Sequence, residues 1–167
     1  EGISSEACSL AGTQELGNLK VIYDDNRISI EGDTHVAFTE DVSMRFKAYG
    51  WNVVEVAALA NGDVDQPALE KAMLAVANEK MKPSLIRLKT VIAWPAPSAQ
   101  GTAESHGSAL GADEVAATKV ALGLDPEKSF DVPDSVLKHT RKVIERGAEQ
   151  RAIWNNELAT WAKTNPE

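Results

Sequence analysis

A cluster of polar residues directly follows an apolar run near the start of the chain. Asp24, Asp25 and Asn26 come after the stretch LKVIY at residues 19–23. The amide oxygen of Asn26 is a hard, neutral donor of the kind that Mg²⁺ or Ca²⁺ accepts, and the carbonyl of Ile28 follows two residues later. Short polar side chains also end strands simply by satisfying the backbone of a turn. These residues alone therefore leave both a cation site and an ordinary turn open.

The chain has three histidines, and one of them lies in a segment where a ligand is expected. His106 follows Ser105 within a long stretch rich in Pro, Gly, Ser and Ala, residues 93–111. Loops of this length in compact domains are usually functional or disordered. A histidine there can donate to a phosphate or exchange a proton near neutral pH. His35, in a turn-like stretch, and His139, on a charged helix, are interpreted as surface residues.

Composition restricts the classes of function. The 167 residues have a formal net charge of -8, which disfavours nucleic acid and anionic membrane surfaces as partners because the phosphates would be repelled. The sequence contains no run of 18 apolar residues, so we expect no membrane span. The single cysteine, Cys8, excludes an internal disulfide and suits a reducing compartment. We therefore expect a cytoplasmic protein.

The elements that must position the polar residues alternate between strands and helices. Runs rich in Val and Ile predict strands at residues 19–23, 51–57 and 84–92. Helical spacing of apolar residues predicts helices at residues 3–16, 38–49, 66–81, 113–122 and 134–161. Thr39 is the predicted N-cap of the second helix, and Asp65 that of the third, with Pro67 in its first turn.

This order of elements predicts the fold class. Strand, helix, strand, helix and strand in succession are typical of an α/β fold with a parallel β-sheet flanked by helices. A long C-terminal helical segment follows. Ligands of such sheets bind beyond the carboxyl ends of the strands. We therefore expect Asn26 and the loop after Ile92 to lie at the same edge of the sheet.

Several stretches, taken together and in order, resemble the thiamine diphosphate-binding domain of transketolase. They are EGISSEA, YDDNRISIEGDT, FTEDVSMRFKAYGW, KPSLIRLKT, GTAESHGSALG and DEVAATKVALG. The stretch HGSALGADEVAATK is most similar to actinobacterial members. The resemblance implies that residues 1–123 form the C-terminal part of an α/β domain that binds diphosphate and Mg²⁺. Residues 124–167 would be a helical extension leading toward a pyrimidine-binding domain.

The resemblance also implies roles for individual residues. Asn26 and the backbone carbonyl of Ile28 would hold Mg²⁺ (or Ca²⁺) together with the diphosphate of thiamine. Ile30 matches an apolar residue packed near the thiazolium ring. His106 matches a histidine that contacts the diphosphate and the donor substrate, and Lys89 lies where some members contact the cofactor. These five residues form the expected cofactor site.

Two glutamates belong to a second implied site. Glu1 and Glu6 match glutamates at a dimer interface, proposed to link paired active sites by proton transfer. The implied assembly is a homodimer of the complete enzyme. Together with His106, these glutamates are the expected catalytic residues.

The implied activity is transfer of a two-carbon ketol unit from a ketose phosphate to an aldose phosphate, as in the pentose phosphate pathway. Some family features are missing from this chain: a Gly-Asp-Gly motif that should precede Glu1, the pyrimidine-binding domain, and the arginines that hold sugar phosphate. Ala103 replaces a histidine of the family motif GTHxxHG, and Ala93 replaces a common glycine. We therefore expect the 167 residues alone to be inactive.

Two alternatives differ in function. Another thiamine-dependent ketol transferase, such as a dihydroxyacetone synthase, would share the cofactor site and differ in the substrate contacts. A stand-alone, non-catalytic subunit or binding module would share the fold and lack the reaction.

Overall fold

The structure is a computed structural model that describes residues 2–166. It forms two compact units, Glu1–Pro126 and Glu127–Glu167. The sequence had placed a division after residue 123. Among residues 2–166, no helix combines the length and the apolar character needed to cross a lipid bilayer.

The secondary structure follows the predicted alternation. The helices are α1 Gly2–Thr13, α2 Val42–Ala48, α3 Gln66–Asn78, α4 Ala112–Ala121 and α5 Asp134–Thr164. The strands are β1 Lys20–Asp25, β2 Ile28–Ser29, β3 Gly32–Asp33, β4 Asn52–Val56 and β5 Ser84–Lys89. Short 3-10 turns cover Thr34–Val36 and Glu104–His106.

The main sheet is parallel, which confirms the predicted fold class. Its strand order is β1-β5-β4, so β5 lies in the middle, and β2 and β3 form a separate antiparallel hairpin. Asp25 is opposite Lys89 on one side of β5, and Val56 is opposite Leu88 on the other. The three strands therefore end at the same edge of the sheet, and the segments that follow them leave from that edge.

Helices cover both faces of the sheet. Alternate side chains of the central strand point in opposite directions, so each face offers side chains on which a helix can pack. Ile86 and Leu88 of β5 pack with Ala72 and Val76 of α3 on one face. Leu85 packs on the other face in a cluster shared with α1 and α2. Strand β5 is buried along most of its length, as expected of a central strand that is covered on both faces.

Trp51 ties the second face together. Its indole nitrogen donates to the carbonyl of Cys8 in α1 over 2.8 Å, and its ring meets Phe46 of α2 edge-on at 5.0 Å. Burying the large ring while pairing its N–H satisfies both the apolar and the polar part of the side chain. Helices α1 and α2 are thereby fixed on the same face of the sheet.

Some predicted element boundaries are wrong. Helix α2 begins at Val42, four residues late, because its N-cap is Asp41 and not Thr39: the Asp41 carboxylate accepts from the Met44 N–H over 3.0 Å. Helix α1 ends at Thr13 and is followed by Glu15 in a left-handed conformation, φ 52°.

The third predicted helix and third predicted strand are also shorter than expected. Helix α3 ends at Asn78 because Glu79 is extended, and its carboxylate binds the N–H groups of Met81 and Lys82 at 2.7 and 3.2 Å. Strand β5 ends at Lys89, before a run of turns.

Helix α1 approaches the end of helix α2 closely enough to require a glycine. A Cβ added at Gly12 would overlap the carbonyl oxygen of Tyr49, a backbone atom that cannot rotate away. We expect Gly12→Ala to lower the free energy of unfolding by about 1–3 kcal/mol, as overpacking usually does. Denaturant unfolding monitored by tryptophan fluorescence measures this.

Gly147→Ala is the matched control, because Gly147 lies within helix α5 and no neighbouring atom lies within 4 Å of the added carbon. It should leave stability unchanged or raise it by up to about 1 kcal/mol. Equal effects of the two substitutions would contradict the proposed close approach.

Candidate functional site

The turn that leaves β1 is built by Asn26. Its side-chain oxygen accepts from the N–H of Ile28 over 2.9 Å, a bond that closes the chain sharply after the strand. Arg27, between them, has φ 60°, in the left-handed region that residues other than glycine seldom adopt. The carbonyl of Arg27 accepts from the N–H of Thr34 over 2.9 Å. Both polar groups of the peptide between Arg27 and Ile28 are thus hydrogen-bonded.

The donor chemistry of this turn fits a small, hard cation. An amide oxygen has two lone pairs, so Asn26 can accept from Ile28 and still offer one to a metal. Among residues 2–166, no three histidine, cysteine or carboxylate side chains gather closely enough to hold a metal by themselves. Mg²⁺ normally uses few protein ligands and takes its remaining ones from phosphate and water. The turn therefore suits a cation that arrives with other oxygen ligands.

A buried ionic network lies directly beneath the turn. Asp25 is only 4% exposed. The Nε and Nη2 atoms of Arg87 each lie 2.8 Å from one oxygen of its carboxylate, and Nζ of Lys89 lies 3.3 Å from the same oxygen. Arg27 lies 3.9 Å from the other oxygen. The last residue of β1 is therefore bonded to the adjacent strand β5.

The positive neighbours determine the charge of Asp25. Burial by itself would raise the pKa of this carboxyl, but the hydrogen bond from Arg87 and the positive charge of Lys89 outweigh it and lower the pKa. In the same way, burial would lower the pKa of Arg87, and the hydrogen bond to Asp25 raises it. Both partners are therefore charged at neutral pH, and the pair is a true ion pair.

The sequence reasoning missed the roles of Asp25 and Arg87. A signal for them existed: residues 21, 23 and 25 of β1 and residues 85, 87 and 89 of β5 share one face of the sheet. The upper part of that face, near the strand ends, changes from apolar to charged on both strands, with opposite signs. Opposite charges on one face of neighbouring strands predict a pair once the register is known.

Lys89 was expected to contact the cofactor. In the structure its side chain is about two-fifths exposed and its ammonium group is directed at Asp25. It lies at the same sheet edge as Asn26, the residue that follows Asp25. Its contact with a cofactor stays a prediction, and its ion pair with Asp25 is an additional role.

Ile30 occupies the tip of the β2–β3 hairpin. The hairpin is closed by a hydrogen bond from the hydroxyl of Ser29 to the carbonyl of Gly32, 2.9 Å long. Ile30 is 70% exposed, so this apolar side chain is presented outward by a rigid turn. That exposure is compatible with packing against a ligand ring, which stays a prediction.

His106 lies in the loop after β5, in the 3-10 turn Glu104–His106, and is exposed. The loop is held to its surroundings: the indole nitrogen of Trp94 donates to the carbonyl of Asn61, after β4, over 3.0 Å. Thr90, at the start of the loop, donates to the carboxylate of Asp24 at the end of β1. The segments after all three parallel strands are thus connected at the carboxyl edge.

Of the two predicted interface glutamates, one lies on helix α1 and the other lies outside the described residues. Glu6 is exposed on α1, while Ala11 of the same helix is buried against the sheet. The guanidinium of Arg45, in α2, donates to Ser5 over 2.9 Å and fixes this part of α1. Glu1 lies outside the described residues. A role of either glutamate between subunits stays a prediction.

Comparison with known proteins identifies what the chain is similar to. The family model described as the thiamine diphosphate-binding domain of transketolase matches residues 1–167. The chain is 48% identical to a transketolase from Mycobacterium leprae and 47% identical to one from Mycobacterium tuberculosis, in both cases over all of this chain. It spans 23% of the length of each of these relatives.

Solved structures of transketolases have the same fold. A transketolase from Leishmania mexicana superposes with a TM-score of 0.89 at 38% identity, covering 99% of this chain and 24% of that one. A transketolase from Pichia stipitis in complex with sedoheptulose-7-phosphate superposes with a TM-score of 0.87 at 42% identity, with the same coverage of both chains. These superpositions show that the chain shares the fold of the transketolases.

The buried network predicts the effect of removing one charge. Arg87→Met should lower the free energy of unfolding by about 2–4 kcal/mol, because it leaves a buried carboxylate with only weaker partners. Asp25→Asn combined with Arg87→Met should be more stable than Arg87→Met alone, since no unpaired buried charge remains. Chemical denaturation of the unsubstituted chain and of the two variants forms the test. A double variant that is no more stable than Arg87→Met would contradict the pairing.

Proposed function

Because this chain belongs to the family of transketolase thiamine diphosphate-binding domains, we propose that it is the part of a transketolase that holds the diphosphate and Mg²⁺. Transketolases transfer ketol groups. The complete enzyme would move a two-carbon ketol unit from a ketose phosphate to an aldose phosphate, as in the pentose phosphate pathway. The chain covers 23% of the length of the two mycobacterial relatives, so the reaction would belong to the larger protein.

One observation supports the metal site most strongly. The turn at residues 26–28 offers an amide oxygen and a main-chain carbonyl at the carboxyl edge of a parallel sheet. This is the position where α/β sheets bind ligands. Both oxygens are neutral, so a cation bound there keeps enough positive charge to attract the diphosphate.

The residues of the chain would act by binding and orienting. Asn26 and Ile28 would hold Mg²⁺, and with it the diphosphate. Ile30 would pack against the thiazolium ring, and Lys89 would approach the phosphates while paired with Asp25. The bound thiamine would supply the electron sink for ketol transfer.

His106 would donate to the diphosphate or to the oxygen of the donor substrate. An exposed imidazole on an ordered loop presents a ring N–H that can donate to either oxygen. Ala103 takes the position of a second family histidine, so His106 would act there without that neighbour.

Substrates and partners follow from the relatives. Solved transketolases from Pichia stipitis are complexes with sedoheptulose-7-phosphate and, in a variant, fructose-6-phosphate. Sugar phosphates are therefore the proposed substrates. The remaining proposed partners are the rest of the transketolase chain and a second subunit, with Glu1 and Glu6 at the dimer interface. We expect the assembly to be cytoplasmic, without nucleic acid or membrane partners.

Substitution of Asn26 tests the proposed metal ligand. In the complete enzyme, Asn26→Ala should raise the Mg²⁺ and thiamine diphosphate concentrations needed for half-maximal activity by about tenfold or more. Asn61→Ala is the matched control, because Asn61 also follows a strand and also accepts from the backbone N–H two residues later, over 3.1 Å. Titration of both variants with each cofactor measures the difference. A requirement raised equally in the two variants, or unchanged in Asn26→Ala, would contradict the assignment.

The isolated chain offers a separate test of the proposed function. Residues 1–167 alone should have no ketol-transfer activity, because they supply two oxygen ligands of the metal and lack the domain that covers the pyrimidine. The assay mixes the purified chain with thiamine diphosphate, Mg²⁺, a ketose phosphate and an aldose phosphate, and uses the complete enzyme as the positive control. Turnover by the isolated chain would refute the prediction.

A further inference from the structure

The loop that bears His106 is fastened to helix α4 by one side chain. An oxygen of the Glu114 carboxylate accepts from the N–H of Ser98 at 2.7 Å and from that of Ala99 at 3.0 Å. The second oxygen accepts from the hydroxyl of Ser98 at 2.6 Å. Glu114 therefore fixes two consecutive residues of the loop through three hydrogen bonds.

The same set of hydrogen bonds continues to His106. The carbonyl of Ala99 accepts from the hydroxyls of Thr102 at 2.8 Å and Ser105 at 2.6 Å. These two hydroxyl oxygens lie 3.2 Å apart. Ser105 directly precedes His106, whose N–H donates to the carbonyl of Ala103 at 3.0 Å. An unbroken series of short bonds thus joins Glu114 to the residue beside His106.

The use of Glu114 is not the ordinary one for its place in a helix. Helix α4 has Gly111 as its N-cap, without a side-chain cap, and Glu114 is the third helical residue. A glutamate there usually reaches back to the N-cap N–H of its own helix. In this chain it reaches across to residues 98–99 of the preceding loop. Helix α4 therefore has no side-chain cap, and the carboxylate makes three hydrogen bonds to the loop.

The carboxylate of Glu114 is charged at neutral pH. The hydrogen bonds from the side chain and backbone of Ser98 lower the pKa of Glu114. Hydrogen bonds to an ionised acceptor are about twice as strong as those between neutral groups. The contact with the loop therefore persists at neutral pH.

We propose that Glu114 is a positioning residue, which acts through Ala99 and Ser105 to hold the imidazole of His106 in place for the donor substrate. The inference rests on the proposed function, in which His106 contacts the donor. Neither Glu114 nor Ser105 would touch the substrate. A displacement of about 1 Å in such a positioned group can lower the rate about a hundredfold.

The test compares Glu114→Gln and Ser105→Ala with Asp113→Asn in the complete enzyme. Glutamine keeps the size of Glu114 and removes its charge, while Ser105→Ala deletes one hydroxyl and leaves α4 untouched. Asp113 is the neighbouring exposed carboxylate in the first turn of α4 and serves as the control. Because Glu114 acts through His106, its effect should vanish in the double variant Glu114→Gln with His106→Ala.

Three measurements separate positioning from a general loss of structure. The first is kcat and KM for the donor ketose phosphate in each single and double variant. The second is the Mg²⁺ concentration needed for half-maximal activity. The third, taken without cofactor, is hydrogen exchange at the amides of Ser98 and Ala99, which Glu114 protects.

The expected result has four parts. Glu114→Gln and Ser105→Ala lower kcat/KM for the donor about tenfold or more, and Asp113→Asn does not. Half-maximal Mg²⁺ stays the same in all three. Glu114→Gln speeds exchange at Ser98 and Ala99. The double variant is no slower than His106→Ala alone.

Two results would overturn the inference while leaving the proposed function intact. One is ordinary donor kinetics in Glu114→Gln when His106→Ala is slow. The other is a double variant whose losses add. Ordinary donor kinetics in His106→Ala would remove the proposed role of His106, and the inference with it. The exchange data would then report separately whether Glu114 holds the loop.

Discussion

A carboxylate buried at the end of a strand has to be paired, and the pairing of Asp25 organises the site edge. Leaving such a charge unpaired in the interior would cost several kcal/mol. Arg87 and Lys89 of the adjacent strand supply the compensating charges. The ends of β1 and β5 are therefore joined at the point where both strands deliver their loops. Asn26 follows Asp25 directly, so the position of its amide relative to the sheet depends on this ion pair.

Two ordered loops leave the parallel sheet at its carboxyl edge and together form the proposed site. The turn after β1 closes through Asn26 and Ile28, and the loop after β5 is fastened by Glu114. Parallel strands whose carboxyl ends coincide bring such loops to one edge of the sheet, although the loops are far apart in the sequence. The core beneath, with Trp51 between α1 and α2, supplies a rigid base. The chain belongs to a thiamine diphosphate-binding family, and rigidity at this edge would serve the cofactor site proposed there.

The sequence predicted the order and type of the main elements because their signals are local. Val- and Ile-rich runs marked β1, β4 and β5, and Asp65 with Pro67 marked the start of α3. Boundaries were less accurate where two polar residues competed as caps, as Thr39 and Asp41 did, since only geometry decides which side chain reaches the free N–H. Ala93 has φ 55°, a left-handed conformation that glycine adopts more readily than alanine.

Long-range partners could not be predicted in the same way. The pairing of Asp25 with Arg87 spans 62 positions and requires knowledge of the strand order. The roles of Asn26, Ile28 and His106 came from resemblance to a family. A strand-end asparagine or a loop histidine is common in proteins where it has no such role. The most direct test of the account is a crystal structure of the complete enzyme with thiamine diphosphate and Mg²⁺. The account predicts the Asn26 amide oxygen and the Ile28 carbonyl oxygen at about 2.0–2.1 Å from the cation, above an intact pair of Asp25 and Arg87. An Asn26 amide turned away from the cation would contradict it.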